Sequence, residues 1–467
     1  MDHKMLVSAL SLAFLAFSPT TLHAQLVFTK VADTTMFPPG SSANFSTFGA
    51  PALHSGSVAF SATFAGSSGV FKWADGVIQK AADSDTTPPG GTGKFLVFPG
   101  YATENGKITF FGVVNPTPQG LYQFDGSSLV RLADTLTPAT MPGGTGPFVG
   151  FSIPAMKDGV VAFVGQNSSA QRGLFSITGG TVSQRLAPGT PYPGGTGGFI
   201  NPGGVITLDA GNIAFYGSDS TVNANNSIFT LVGSTLTRIA EKNVTLVPGS
   251  SSPFTTLGTT PDINGSKLAF SGAFSGGQGI YSVNLDGSGM VKLVDTTTTI
   301  PASTETFGGF GEFEFNGADL VFKGTSTGGQ GLYLLRGGNI TRIIDTFSPL
   351  AGKSPATLTF RESGYSAGLI TFAVNFTDGS RGIYTSNINA IGQLSGGSFS
   401  AFSASVAGFS FTFENGTSGH SYSIQSSSTM AINSWSEVTN FPYTGPITVT
   451  DSSSLGAPRK FYKAVTQ

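Results

Sequence analysis

Three short landmarks recur in step along the chain, seven times each, and this self-similarity limits the fold more than any other feature. The first is a strand-like triplet ending in phenylalanine: Val58-Ala59-Phe60, Ile108-Thr109-Phe110, Val161-Ala162-Phe163, Ile213-Ala214-Phe215, Leu268-Ala269-Phe270, Leu320-Val321-Phe322 and Ile370-Thr371-Phe372. The second follows a short loop: Gly69-Val70-Phe71, Gly120-Leu121-Tyr122, Gly173-Leu174-Phe175, Ser227-Ile228-Phe229, Gly279-Ile280-Tyr281, Gly331-Leu332-Tyr333 and Gly382-Ile383-Tyr384. The third is a basic residue, two apolar residues and usually an acid: Lys30 to Asp33, Lys80 to Asp83, Arg131 to Asp134, Arg185 to Pro188, Arg238 to Glu241, Lys292 to Asp295 and Arg342 to Asp345. Pro/Gly-rich loops such as Pro142-Gly143-Gly144-Thr145-Gly146 and then an aromatic stretch complete each unit.

Four short strands in each unit of roughly fifty residues fit a propeller blade, and seven units fit a ring. In chain order the strands are inner A, B ending in Phe, C beginning at Gly, and outer D carrying the basic residue. The third landmark starts one step early. Leu26 to Asp33 is a D strand without A, B and C, whereas the last unit, to about Asn387, lacks D. Pairing Leu26 to Asp33 with the strand around Gly382 to Ser386 would close the ring and remove a free sheet edge. A solenoid, the main competitor, ends in capping repeats rather than in complementary halves of one unit. The basic residue on each D strand reads as protection of an exposed edge; a ring of cations for an anionic polymer is the weaker reading, because a wide disc scatters those charges.

Composition supports a packed all-β chain. Gly (65) and Pro (26) are abundant enough to raise the question of disorder, but 40 Phe at regular intervals require a core. No Cys is present, so stability must come from burial and strand pairing. A net charge of −2 gives no electrostatic case for nucleic acid or an anionic membrane. At the N-terminus, Lys4, the apolar run Leu6 to Phe17 and the small residue Ala24 form a cleavable secretory signal over 1–24. The run is too short to span a bilayer, no second apolar stretch could do so, and Gln25 rather than Cys follows the cut. The expected product is exported, secreted or held at the cell surface, and monomeric.

The landmarks place the propeller at 25–390, a linker at 391–397 and a further module at 398–467. In the last, Phe409-Ser410-Phe411-Thr412-Phe413, Tyr422-Ser423-Ile424 and Ile447-Thr448-Val449 alternate with period two, which predicts a small antiparallel β-sandwich. The run His420 to Ser427, then Asn433-Ser434-Trp435, Asp451 and Ala457 to Lys463 resembles a short β-sandwich module at the C-termini of many exported bacterial proteins. That resemblance implies export and surface retention and brings no chemistry. Leu132-Ala133-Asp134-Thr135 with Pro142 to Gly146 likewise resembles the "VADT…PGGTG" units of uncharacterised exported bacterial repeat proteins, for which no activity is implied.

Catalytic signals are scarce. Beyond the signal only His54 and His420 remain, each beside a turn glycine and in different modules, so neither a metal site nor a cofactor is expected. Asp33, Asp83, Asp134, Asp295 and Asp345 end D strands, where a carboxylate oxygen satisfies turn amides. Asp125-Gly126, Asp158-Gly159 and Asp286-Gly287 are turn dipeptides, and no dense calcium loop or sialidase-type box is present. The Gly-rich loops lack the following Lys-Ser/Thr and helix of a phosphate cradle. The candidate ligand-binding residues are those ending the B-to-C connections, Gln119, Arg172, Gln278, Gln330 and Arg381, together with Asp219 in the irregular loop 216–227. Bonding to the adjacent blade is the structural alternative for these. The expected function is non-enzymatic binding of an extracellular glycan or surface protein. An extracellular polysaccharide hydrolase or lyase with carboxylates in the channel is the alternative, and a purely structural role is a third.

Overall fold

Period-two alternation in each repeat yields strands, and the turn dipeptides between them set antiparallel pairing. A computed structural model of the chain describes residues 26–466 except 116–117, 139, 145, 195–197, 222–225, 390–395, 406, 417–420, 429–433 and 455–459. The expected signal, most of the linker, His420 and the middle of loop 216–227 lie outside the described residues. Among the described residues no helix is long and apolar enough to cross a membrane.

The repeats form seven antiparallel sheets of four or five strands, each ordered A-B-C-D. Sheets 1 to 6 span 45–83, 94–134, 150–186, 200–241, 254–295 and 309–345. Sheet 7 takes A, B and C from 355–387, and its D strand is Phe28–Asp33 from the other end of the chain. The pairing runs from Phe28 opposite Ser386 to Asp33 opposite Gly382. Val31 and Ala32 are buried there with Phe45, Phe60 and Phe71 of sheet 1 and Ile383 of sheet 7, so the strand is held by packing as well as by its ladder.

Each seam between consecutive sheets has its own apolar cluster. Val70 and Ala82 of sheet 1 pack with Phe95 and Phe110 of sheet 2, and Ile344 of sheet 6 packs with Leu358 and Phe372 of sheet 7. Inside the sheets an aromatic trio repeats. Phe163 and Phe175 stack at 5.6 Å, and Phe148 meets Phe175 edge-on at 4.9 Å; Phe307, Phe322 and Tyr333 do the same. The edge-on ring sits over the glycine two residues beyond the B-strand phenylalanine. A Cβ on Gly165 would stand 2.4 Å from the Phe148 ring, which accounts for the glycine in Phe163-Val164-Gly165.

Every D strand carries a one-residue bulge. The basic residue pairs with the C-strand aromatic, as Lys80 with Phe71, and the next residue, Ala81, is skipped. The bulge turns the basic side chain back onto the acid three residues on: Lys30–Asp33 2.7 Å, Lys80–Asp83 2.7 Å, Arg131–Asp134 3.1 Å, Arg238–Glu241 3.0 Å, Lys292–Asp295 2.8 Å and Arg342–Asp345 2.7 Å. The other carboxylate oxygen caps the turn, accepting N–H groups such as Thr35 (2.9 Å) and Leu136 (2.8 Å). The edge cations are therefore engaged within their own strands. Sheet 3 corrects the register of the third landmark by one residue: Gln184, not Arg185, pairs with Phe175, and Arg185 is the bulge residue. Similarity of residue type concealed the shift, because Arg185-Leu186-Ala187 reads like a landmark.

Beyond 395 two three-stranded sheets form, one from Gly396–Ser405, Gly408–Gly416 and Ile447–Asp451, the other from Ser421–Ser427, Ser436–Pro442 and Phe461–Thr466. Phe411 and Phe413 of one share a buried cluster with Tyr422, Ile424 and Phe441 of the other. The first of these strands begins at Gly396, inside the stretch expected to be linker.

Candidate functional site

The A-to-B turns carry polar residues that differ between repeats. At the turn itself stand His54, Glu104, Lys157, Asp209, Asn264, Asn316 and Ser366; two residues earlier stand Ala52, Ala102, Ala155, Thr207, Asp262, Glu314 and Gly364. Side chains from these two positions join sheets 1 to 7 in succession. The Asn105 N–H donates to His54 Nδ1 (3.0 Å), and the Asp158 and Gly159 N–H groups donate to the two oxygens of Glu104 (2.6 and 2.9 Å). Lys157 Nζ lies 3.7 Å from Asp209 Oδ1, and Asp209 Oδ2 accepts the Gly265 N–H (2.7 Å). From sheet 5 onward the linking moves to the earlier position. Asp262 Oδ2 accepts the Phe315 N–H (2.6 Å), Glu314 Oε2 accepts the Ser363 N–H, and the Leu53 N–H donates to the Ser363 carbonyl (2.6 Å), returning to sheet 1.

Within this circuit lies a cavity of about 100 Å³ lined from five sheets, by residues including Thr103, Met156, Thr207, Asp262, Arg361 and Glu362. The Arg361 guanidinium sits 5.1 Å over the Tyr101 ring and donates to Glu362 Oε1 at 3.2 Å. It thereby reaches from sheet 7 to sheet 2, two sheets away. One half of the circuit is faced by Ala52, Ala102 and Ala155, the other by Asp262, Glu314 and Glu362. Burial pushes the Asp262 carboxyl up to about 7; the Phe315 N–H opposes the rise, while the charges of Glu362 and Asp209 add to it. Burial likewise pushes Glu314 well above the carboxylate range, with the Asp262 charge as the next contributor. Asp262 and Glu314 therefore hold their protons to higher pH than ordinary carboxyls do.

The residues expected to bind ligand lie elsewhere. Gln119 donates to the Val149 carbonyl (3.0 Å), Arg172 to Pro202 (3.5 Å) and Gln278 to Phe310 (3.1 Å), in each case in or directly before the A strand of the next sheet. Gln330 and Arg381 open their C strands at the same position, their backbone groups bonded to Thr346 and Thr34. Asp219 is buried, and its Oδ1 accepts from Thr221 N–H (2.9 Å) and hydroxyl (2.8 Å), closing a turn. None of these six lines the cavity. Sequence reasoning passed over Asp262, Glu314, Arg361 and Glu362 because it compared the landmarks rather than the columns between them. Aligned on the B-strand phenylalanine, the column Ala, Ala, Ala, Thr, Asp, Glu, Gly marks where the copies diverge. Among the described residues no three Asp, Glu or His side chains are grouped to hold a metal ion.

No protein-family model matches the chain, and no curated protein does. Solved structures do resemble it. The β-propeller domain of the Trilobed protease from Pyrococcus furiosus is 11% identical at a TM-score of 0.46, covering 74% of this chain and 95% of that one. Polysaccharide lyase Uly1 is 11% identical at 0.44, covering 79% and 98%, and a prolyl endopeptidase is 10% identical at 0.46, covering 82% of this chain and 55% of its own. Likeness at this level does not reach to function.

Proposed function

We propose that the chain is an exported, monomeric seven-bladed β-propeller, closed by Phe28–Asp33 and followed by a small β-sandwich, that binds an extracellular glycan or surface protein without transforming it. Closure is supported by the pairing in sheet 7 and by the circuit of turn-to-turn hydrogen bonds. Binding rests on one observation: Asp262, Arg361 and Glu362 stand around a single cavity, Asp262 at a position where sheets 1, 2 and 3 carry alanine. The cavity has room for roughly three waters, at about 30 Å³ each. It would take one small polar group, such as a hydroxymethyl or an amide, of a ligand lying across the rim. Purified protein applied to glycan arrays and to extracellular protein extracts should retain a ligand, and Arg361→Gln should weaken retention at least tenfold while thermal unfolding stays cooperative. Failure to retain anything across a broad panel would overturn this reading.

A second reading, an extracellular polysaccharide hydrolase or lyase, is favoured by one specific feature. Asp262, which holds its proton near neutrality, and Glu362 line the same cavity, and a protonated acid beside a carboxylate is what glycosidic cleavage requires. Release of reducing ends or of unsaturated sugars that is abolished by Asp262→Asn would establish this reading in place of the first.

A further inference from the structure

The seam between sheets 2 and 3 opens into a second pocket, of about 250 Å³, lined by Glu104, Lys107, Gln123, Leu132 and Met156 and by glycine turns at Gly159 and Gly179. The seams on either side place a cation of the chain itself at the equivalent point. Between sheets 1 and 2, Lys72 Nζ lies 3.1 and 3.6 Å from where Cβ atoms would stand on Gly106 and Gly126. Between sheets 3 and 4, Arg185 Nη2 donates to the carbonyls of Gly211 (2.9 Å) and Gly233 (3.5 Å). Gly106, Gly159 and Gly211 hold one turn position, and Gly126, Gly179 and Gly233 the other.

At the seam between sheets 2 and 3 both cations are missing. The position of Lys72 is taken by Gln123, whose amide is turned onto the Thr109 hydroxyl (2.9 Å). The bulge position of Arg185 is taken by Leu132. Thr109 in turn donates to the Met156 sulfur (3.2 Å), a weak acceptor.

We propose that this pocket binds a guanidinium group supplied from outside the chain, on a free small molecule or on an arginine side chain of a partner. The Gly159 and Gly179 turns stand where those of Gly211 and Gly233 receive Arg185. Glu104 supplies negative charge, and each of its oxygens, though accepting one backbone N–H, keeps further acceptor capacity. Leu132, Val161 and Ile177 flank the space apolarly, as a methylene stem requires. Lys107 is the one like-charged residue lining it, and it is exposed at the rim. The proposal is independent of any ligand at the Asp262 cavity.

Methyl-labelled methionine spectra of the full protein, with the Met156 signal assigned through Met156→Leu, give the readout. N-acetyl-arginine amide and a Gly-Arg-Gly peptide amide are each titrated, with the citrulline counterpart as uncharged control. The expected result is a saturable Met156 shift with guanidinium probes and none with citrulline; the tighter of the two probes identifies the source. Lys107→Met should tighten binding several-fold, and Leu132→Arg and Gln123→Lys, which restore an internal cation, should each abolish it. Absence of a saturable shift with either probe, or undiminished binding in both folded cation-restoring variants, overturns the proposal.

Discussion

The outer D strands and the circuit of A-to-B turns both use aspartate, with opposite electrostatic outcomes. At the edge, burial alone would raise Asp33, Asp83 and Asp295, but the neighbouring lysine and the turn donors more than offset it and hold each below the usual range. At the rim, burial raises Asp262, one N–H from the next sheet opposes the rise, the charges of Glu362 and Asp209 add to it, and the carboxyl reaches about 7. Burial raises the carboxyl in both places, and partners reverse the sign only at the edge. The edge repeats one solution in six sheets, whereas the rim differs from copy to copy.

Substitutions can break or sharpen this contrast. The largest effect is expected from Ala52→Asp, which puts an acid at the position of Asp262 in a fully buried site of sheet 1. An unpaired buried carboxyl should cost several kcal/mol, about 3 or more, read as a fall in denaturant midpoint; a neutral outcome would mean that any sheet tolerates the rim acid. Asp295→Ala at the edge removes both the Lys292 partner and the cap on Thr297, for an expected loss of about 1–3 kcal/mol.

Next comes pH. A raised folded-state pKa means that the folded protein binds the proton more tightly than the unfolded chain does. The stability contributed by Asp262 is therefore complete below about pH 4 and is lost as pH rises through about 7. The edge aspartates behave oppositely, contributing above the unfolded pKa and losing stability on acidification. Asp262→Asn should flatten the decline between those limits and raise stability at pH 8 by on the order of 1 kcal/mol or more, read as a higher melting temperature; an unchanged profile would show that the rim acid titrates normally. The smallest effect is expected from Lys292→Met, whose half-exposed ammonium contributes about 0–1 kcal/mol; a loss as large as that of Asp295→Ala would show that the ion pair, not the cap, carries the edge.

Much of the sheet architecture was legible in the chain. Phe60 to Phe372 mark the B strands, and the orphan D strand at Phe28–Asp33 finds its place in sheet 7 because an unpaired landmark at one end matches a missing one at the other. The D-strand aspartates were legible as turn caps, since an Asx cap depends only on residues two or three away. Gln184 and Arg185 were misread, because a one-residue bulge leaves no mark when the shifted residue also carries a cation.

The rim and the seam pocket were not legible for a different reason. Asp262, Glu314 and the adjacent pair Arg361-Glu362 are far apart in sequence and become neighbours only where inner segments of separate sheets converge. The open space beside Leu132 is visible only against Lys72 and Arg185 in the flanking seams. Sequence by itself determined what is local and repeated: strand periodicity, turn chemistry, the aromatic trio and its glycine. Tertiary structure alone decided which divergent residues meet, because hydrophobic spacing fixes a strand's faces but carries no record of which distant strand will stand opposite, and charge interactions depend on that distance.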